Sequence, residues 1–145
     1  MSLATRIVAG EFKHIIVLTG AGVSTNAGIP DYRSKSGLFA ELMKQFPQAN
    51  APEDMFTRSF VSKYGLYDHP IYKHHIEEIK QSIPTPTHNM CNILHQRGLL
   101  VRVYTQNIDG LHQKAGLPDN MVIEYHGSLT KKMWYYMETQ YLNRL

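Results

Sequence analysis

Hydrophobic positions along the chain follow two rhythms, one of short β-branched runs and one of apolar residues spaced by three and four. His14–Thr19 (HIIVLT) is an apolar run that stops at Gly20. Having no polar alternation, it predicts a strand buried on both faces, as in a parallel sheet. Ser24 or Thr25 is placed to cap a very short helix that Gly28 and Pro30 must end. Leu38, Phe39, Leu42, Met43 and Phe46 then recur at helical spacing before Pro47. Pro52–Lys63 predicts a second helix with Met55, Phe56 and Phe60 inward. Pro70 opens a third, with Ile76, Ile79 and Ile83 inward and its charges outward.

The second half is more regular. Pro86-Thr87 leads into a helix over His88–Arg97, which Gly98 ends. Leu99–Thr105 (LLVRVYT) predicts a strand. A QNIDG loop follows it, with a short helix to Lys114 that Gly116 stops. Met121–Tyr125 (MVIEY) predicts a third strand, ending at His126-Gly127. Strand, helices, strand, short helix, strand defines an α/β layer around a parallel sheet. In the tail, Trp134, Met137, Tyr141 and Leu145 make an aromatic helical stripe, which reads as packing rather than as a ligand site. No repeat, low-complexity stretch or linker divides the chain.

Composition narrows the functional classes. The 145 residues are 43% hydrophobic, enough for a real core. A formal charge of +3, with Lys131-Lys132 the only adjacent basic pair, gives little reason to expect nucleic-acid binding. The single cysteine, Cys91, excludes an intramolecular disulfide and a four-cysteine zinc site. No window approaches a membrane span, and the first residues do not read as a signal or transit peptide. These features lead us to expect an intracellular protein, most simply cytoplasmic, with nucleus and mitochondrion left open.

Three polar clusters follow the three predicted strands: GAGVSTNAGIPDYRS, TQNIDG and YHGS. In open parallel sheets, ligands bind outside the carboxyl ends of the strands, so three such loops favour one shared site. The first has glycines suited to a phosphate or dinucleotide, or to a tight turn of purely structural value. It fits neither standard fingerprint. Gly28 is too far on for G-x-G-x-x-G after Gly20-Ala21-Gly22, the expected ribose-binding acid is not in place, and no Gly-Lys-Ser/Thr follows. Asp31 and Arg33 offer a carboxylate and a phosphate-binding guanidinium, or a surface ion pair. Gln106, Asn107 and Asp109 are suited to ribose hydroxyls and a carboxamide, though Asn and Asp also form turns. His126 is a candidate base at a strand end, against the alternative of a structural histidine. His88, Cys91 and His95 share one helical face, where packing explains them better than a metal does.

Together GAGVSTNAGIPDYRS, TQNIDGLH and EYHGS resemble the signature blocks of the sirtuins, the NAD-dependent protein lysine deacylases. PEDMFTRSF, PTPTHNMCNIL and GLLVRVYTQNIDGLHQKAGL extend the resemblance from about Phe12 to Ser128. It implies an α/β fold with a partial Rossmann-like parallel sheet and flanking helices. Residues 1–128 would be the NAD-binding catalytic part and residues 129–145 a divergent, helical tail. It further implies that Gly20, Ala21 and Gly22 lie against the NAD pyrophosphate with Arg33 beside them. Thr25 and Gly28 belong to the same cofactor block, and Asp31 and Tyr32 line the nicotinamide end. Gln106 and Asn107 would hold the nicotinamide ribose, Asn107 acting with His126 in catalysis. Asp109 and Ile108 would seat the carboxamide, and His126 would be the general base.

The chain also departs from the family. After Ser128 the sirtuins continue into a zinc module with two C-x-x-C pairs, and later into the rest of the large domain. Neither motif follows here, so zinc is expected for the family but its cysteine ligands are absent. Two classes of function therefore stand side by side. One is a sirtuin-type enzyme acting on an acyl-lysine protein. The other is a non-catalytic fragment that binds NAD or ADP-ribose, or binds a partner, including a second copy, through an uncovered sheet edge. A conventional dinucleotide dehydrogenase is disfavoured by the displaced third glycine.

Overall fold

The computed structural model describes residues 1–30 and 38–129. They form two units, Met1–Val23 with the chain from Ile83 on, and Ser24–Ser82. The expected helix at Trp134–Leu145 lies outside the described residues.

The first unit holds the sheet. A short helix α1 (Leu3–Val8), capped by the Ser2 side chain, precedes strand β1 (Ile15–Thr19). In the second unit, helix α2 spans Leu38–Gln45, α3 spans Arg58–Tyr64 and α4 spans Pro70–Gln81. The sheet unit resumes with α5 (Pro86–Gln96), β2 (Leu100–Thr105), α6 (Leu111–Lys114) and β3 (Val122–Glu124). The strands are parallel in the order β1-β2-β3, with Val17 opposite Val103 and Val103 opposite Val122. This is the α/β arrangement expected from the hydrophobic pattern, and the three predicted strands are each present with ends trimmed by one residue or so.

On one face of the sheet, Cys91 and Leu94 of α5 pack with Leu100, Val103, Leu117 and Val122, and Ile7, Ile15 and Val17 close around them. The opposite face differs from expectation. Ile16 is 61% and Leu18 71% exposed, so β1 is not buried on both faces among the described residues. Topology supplies the reason. Both steps, β1 to β2 and β2 to β3, move the same way, and right-handed crossovers put α5 and α6, the helices of this unit that precede β2 and β3, on one face.

Two further expectations are corrected in the second unit. The single helix predicted over Pro52–Lys63 is a 3-10 turn, Pro52–Phe56, followed by α3. Thr57 breaks it by adopting extended backbone and accepting a hydrogen bond from Phe60 N–H through its hydroxyl. Ile83 does not extend the inner stripe of α4; it is 75% exposed. Ser82 already has extended geometry and Pro84 follows, so the helix ends before Ile83 can join it. The inner face of α4 is Tyr72, His75 and Ile79 instead. The core of this unit includes Leu42, Met55, Val61 and Leu66, with Phe46 edge-on to Phe60 at 6.1 Å. No helix among the described residues is long and apolar enough to cross a membrane.

Candidate functional site

Three turns leave the carboxyl ends of the three strands, and hydrogen bonds join them. Beyond Thr19, residues Ala21–Val23 make a 3-10 turn closed by Val23 N–H on Gly20 C=O at 3.1 Å. Gln106 N–H continues the β-ladder by donating to Thr19 C=O. Asn107 Nδ2 then reaches across to Gly20 C=O at 3.1 Å, while its own N–H is held by Thr105 Oγ1. The second turn is tied to the third by Leu129 N–H on Ile108 C=O at 3.0 Å. Asp109 is buried and accepts from Leu111 N–H at 2.9 Å, which orders the first turn of α6. Gln106 and His126 are exposed, whereas Asn107 and Asp109 are buried. The expected Gly20–Gly22, Gln106–Asp109 and His126 are thus on adjacent turns of one unit. Thr25 and Gly28 belong to the other unit, where Gly28 ends a 3-10 turn at φ 84°. Asp31, Tyr32 and Arg33 lie outside the described residues.

Gly20 and Gly22 are informative because the fold does not require them. Neither has positive φ, unlike Gly28, Gly110, Gly116 and Gly127. A Cβ on Gly22 would meet no described atom within 4 Å, and one on Gly20 only Gln106 Oε1 at 3.9 Å. Backbone strain and internal crowding are the usual internal reasons for glycine, and neither applies among the described residues. Among the described residues, close approach of something else is the reason that remains.

A buried histidine pair lies behind these turns, and the sequence pattern did not single it out. His112 Nε2 is 3.0 Å from Thr19 Oγ1 at the end of β1. Its ring meets that of His88 edge-on, with centroids 4.6 Å apart. His88 is held by Thr85, whose hydroxyl donates to Val23 C=O at 2.8 Å. Burial pushes the His112 pKa down to about 4, helped by His88 and opposed by the Asp109 charge. Burial lowers that of His88 as well, again against Asp109. The only prior signal was that His88 lies three and seven residues before Cys91 and His95. Of these, Cys91 sits in the hydrophobic core, its thiol pKa raised by burial.

The metal implied by the sirtuin resemblance does not fit the residues present. The chain has one cysteine, and among the described residues no group of three or more His, Cys, Asp or Glu could hold an ion.

A three-stranded parallel sheet with flanking helices and polar turns at one end, the first of them glycine-rich, defines a Rossmann-like class of fold. The chain belongs to the Sir2 family, whose model matches residues 20–141. It is 42% identical over 120 residues to the NAD-dependent protein deacetylase sir-2.1 of Caenorhabditis elegans, covering 82% of this chain and 19% of that protein. It is 40% identical over 129 residues to the NAD-dependent protein deacetylase hst2 of Schizosaccharomyces pombe, covering 87% of this chain and 37% of that protein. A solved structure described as showing the structural basis of sirtuin substrate affinity superposes with a TM-score of 0.70 at 32% identity, covering 89% of this chain and 49% of that one. A mutant Sir2 homologue in complex with ADP-ribose gives a TM-score of 0.66 at 31% identity, covering 89% and 48%. The chain therefore spans about half of these solved chains, and a fifth to under two fifths of these curated relatives.

Proposed function

We propose that the three turns form the NAD site of a sirtuin-type protein lysine deacetylase, within residues 1–128. The observation that carries this reading is the pair Gly20 and Gly22 at the end of β1, glycines with ordinary backbone and no crowding neighbour among the described residues. The ADP-ribose complex of a family relative supports it, as do the relatives' names. When bound, NAD would supply an electrophilic ribosyl carbon with nicotinamide as leaving group, and an ADP-ribose acceptor for the acyl group of a lysine on a protein substrate.

The chain's own residues do the binding and orienting. Gly20, Ala21 and Gly22 present backbone to the pyrophosphate. Asn107, fixed by its bond to Gly20 C=O, and the exposed Gln106 orient ribose hydroxyls. Buried Asp109, with Ile108 beside it, seats the carboxamide. His126 is exposed and takes the proton of a ribose hydroxyl. Thr25 and Gly28, and Asp31, Tyr32 and Arg33, are assigned to the cofactor by the family blocks. Charge developing on the ribose needs ordered dipoles rather than a protein nucleophile. The partner is accordingly a protein with acylated lysine, and an intracellular, cytoplasmic setting accompanies the reading.

The test is nicotinamide release from NAD with and without an acetyl-lysine peptide, beside His126→Ala. Peptide-dependent release that the substitution abolishes is expected. ADP-ribose binding without release would favour the non-catalytic module instead, and neither binding nor release would refute both.

A further inference from the structure

The glycine turn after β1 cannot hold its own shape. Ala21–Val23 closes as a 3-10 turn with Val23 N–H on Gly20 C=O at 3.1 Å. Fixing three residues for one such bond is unfavourable in isolation, and glycine adds conformational freedom to be lost. The geometry of the turn therefore depends on what its ends are tied to. At the near end, Thr19 Oγ1 meets His112 Nε2 at 3.0 Å, and Gly20 C=O accepts from Asn107 Nδ2 at 3.1 Å. At the far end, Val23 C=O accepts from the Thr85 hydroxyl at 2.8 Å, across 62 positions of sequence.

Thr85 is held firmly enough to act as that anchor. Pro84 and Pro86 flank it, and a residue before proline is confined to extended backbone, here φ −75° and ψ 168°. It is the N-cap residue of α5 and is only 6% exposed. A capping hydroxyl works through its oxygen, which leaves its hydrogen for another acceptor. His88 Nδ1 lies 2.8 Å from the same oxygen and fixes the side chain from a second direction. Val23 is the last residue of the sheet unit before the chain leaves it, and the chain returns at Ile83. The Thr85 bond thus ties the point of exit to the point of return, and secures the far end of the turn from within the sheet unit.

We propose that Thr85 is a positioning residue for the nucleotide: its hydroxyl holds the Gly20–Val23 backbone in the shape that receives a pyrophosphate. The clamp stands on the hydrogen bonds above, and its bearing on a nucleotide rests on the NAD reading.

Thr85→Val keeps the branched shape and deletes the hydroxyl, and Thr85→Ser keeps the hydroxyl. Amide hydrogen exchange by NMR on the nucleotide-free chain reads the turn, and calorimetry with ADP-ribose reads the site. In Thr85→Val, Val23 N–H should exchange about tenfold faster relative to the amides of β2, and ADP-ribose affinity should fall about tenfold, the share of one hydrogen bond. Thr85→Ser should recover most of both. Gly116→Ala, strained at a different turn, should bind like the wild type, which separates positioning from lost stability. In the wild type the Thr85 hydroxyl proton should be protected enough to observe by NMR, which keeps the test decisive if Thr85→Val fails to fold. A hydroxyl in fast exchange with water would overturn the proposal. So would equal Val23 exchange, or equal measurable ADP-ribose affinity, in the wild type and Thr85→Val. Faster Val23 exchange in Thr85→Val, with no ADP-ribose binding by the wild type, would leave the clamp standing and remove the NAD reading instead.

Discussion

Acidification should weaken the sheet unit through His112. The unfolded imidazole titrates near 6.5, whereas burial holds the native one at about 4. Between those values the unfolded state binds a proton that the native state does not, so stability falls as pH falls. The effect is absent above pH 6.5, develops from there down to about pH 4, and is constant below. At about 1.4 kcal/mol per pH unit the full gap amounts to about 3 kcal/mol, of which about 2.5 kcal/mol should be lost by pH 4.5. That is a large part of the roughly 5–15 kcal/mol typical of a small domain. His88 pulls in the same direction, Asp109 opposes both, and His75 in the second unit is also held low by burial. The total loss therefore exceeds the His112 share, and a difference measurement is required. Urea unfolding followed by circular dichroism at pH 7, 6, 5 and 4.5 should be compared for the wild type and His112→Gln. The variant should start less stable at pH 7 and lose about 2.5 kcal/mol less on going to pH 4.5. Parallel pH profiles for the two proteins would refute a neutral, buried His112.

Two other substitutions or reagents test the packing around the site. Gly116 has φ 102°, and a Cβ there would stand 2.8 Å from Asn92 Nδ2, so Gly116→Ala should lower stability by about 1–2 kcal/mol in urea titration. An unchanged midpoint would show that this turn relaxes freely. Cys91 is fully buried with its thiol pKa raised, so Ellman's reagent should react slowly with the native chain and at once in denaturant. Native reaction as fast as that of a free thiol would contradict the core placement.

Much of the architecture was legible because it depends on local signals. The β-branched runs at Ile15–Thr19 and Leu100–Thr105 have no competing helical spacing, and Gly28 and Gly116 stop their helices through positive φ. Where expectation failed, the deciding physics was either a side chain choosing one local bond over another or a tertiary arrangement. Thr57 competes for Phe60 N–H and breaks a helix that the apolar spacing alone would continue. The exposure of Ile16 and Leu18 follows from strand order, which a buried-looking run cannot reveal. The candidate site was legible as three motifs, since each lies at a strand end. His112 was not, because its partners Thr19 and His88 are 93 and 24 residues away in sequence, and a histidine on a short polar helix has no periodic signature. Gly20 and Gly22 were noticed as motif letters, but only the coordinates separate them from glycines that the backbone demands.

The most direct measurement is ADP-ribose affinity by calorimetry for the wild type and Gly22→Ala, with urea stability measured on the same samples. Gly22 has ordinary φ, and a Cβ there meets no described atom within 4 Å, so alanine should leave stability unchanged or raise it by about 0.4–1 kcal/mol. Wild-type binding lost or weakened severalfold in Gly22→Ala, with the fold intact, is the expected result. Equal affinity in the two proteins, or no binding in either, would contradict a pyrophosphate cradle at the end of β1.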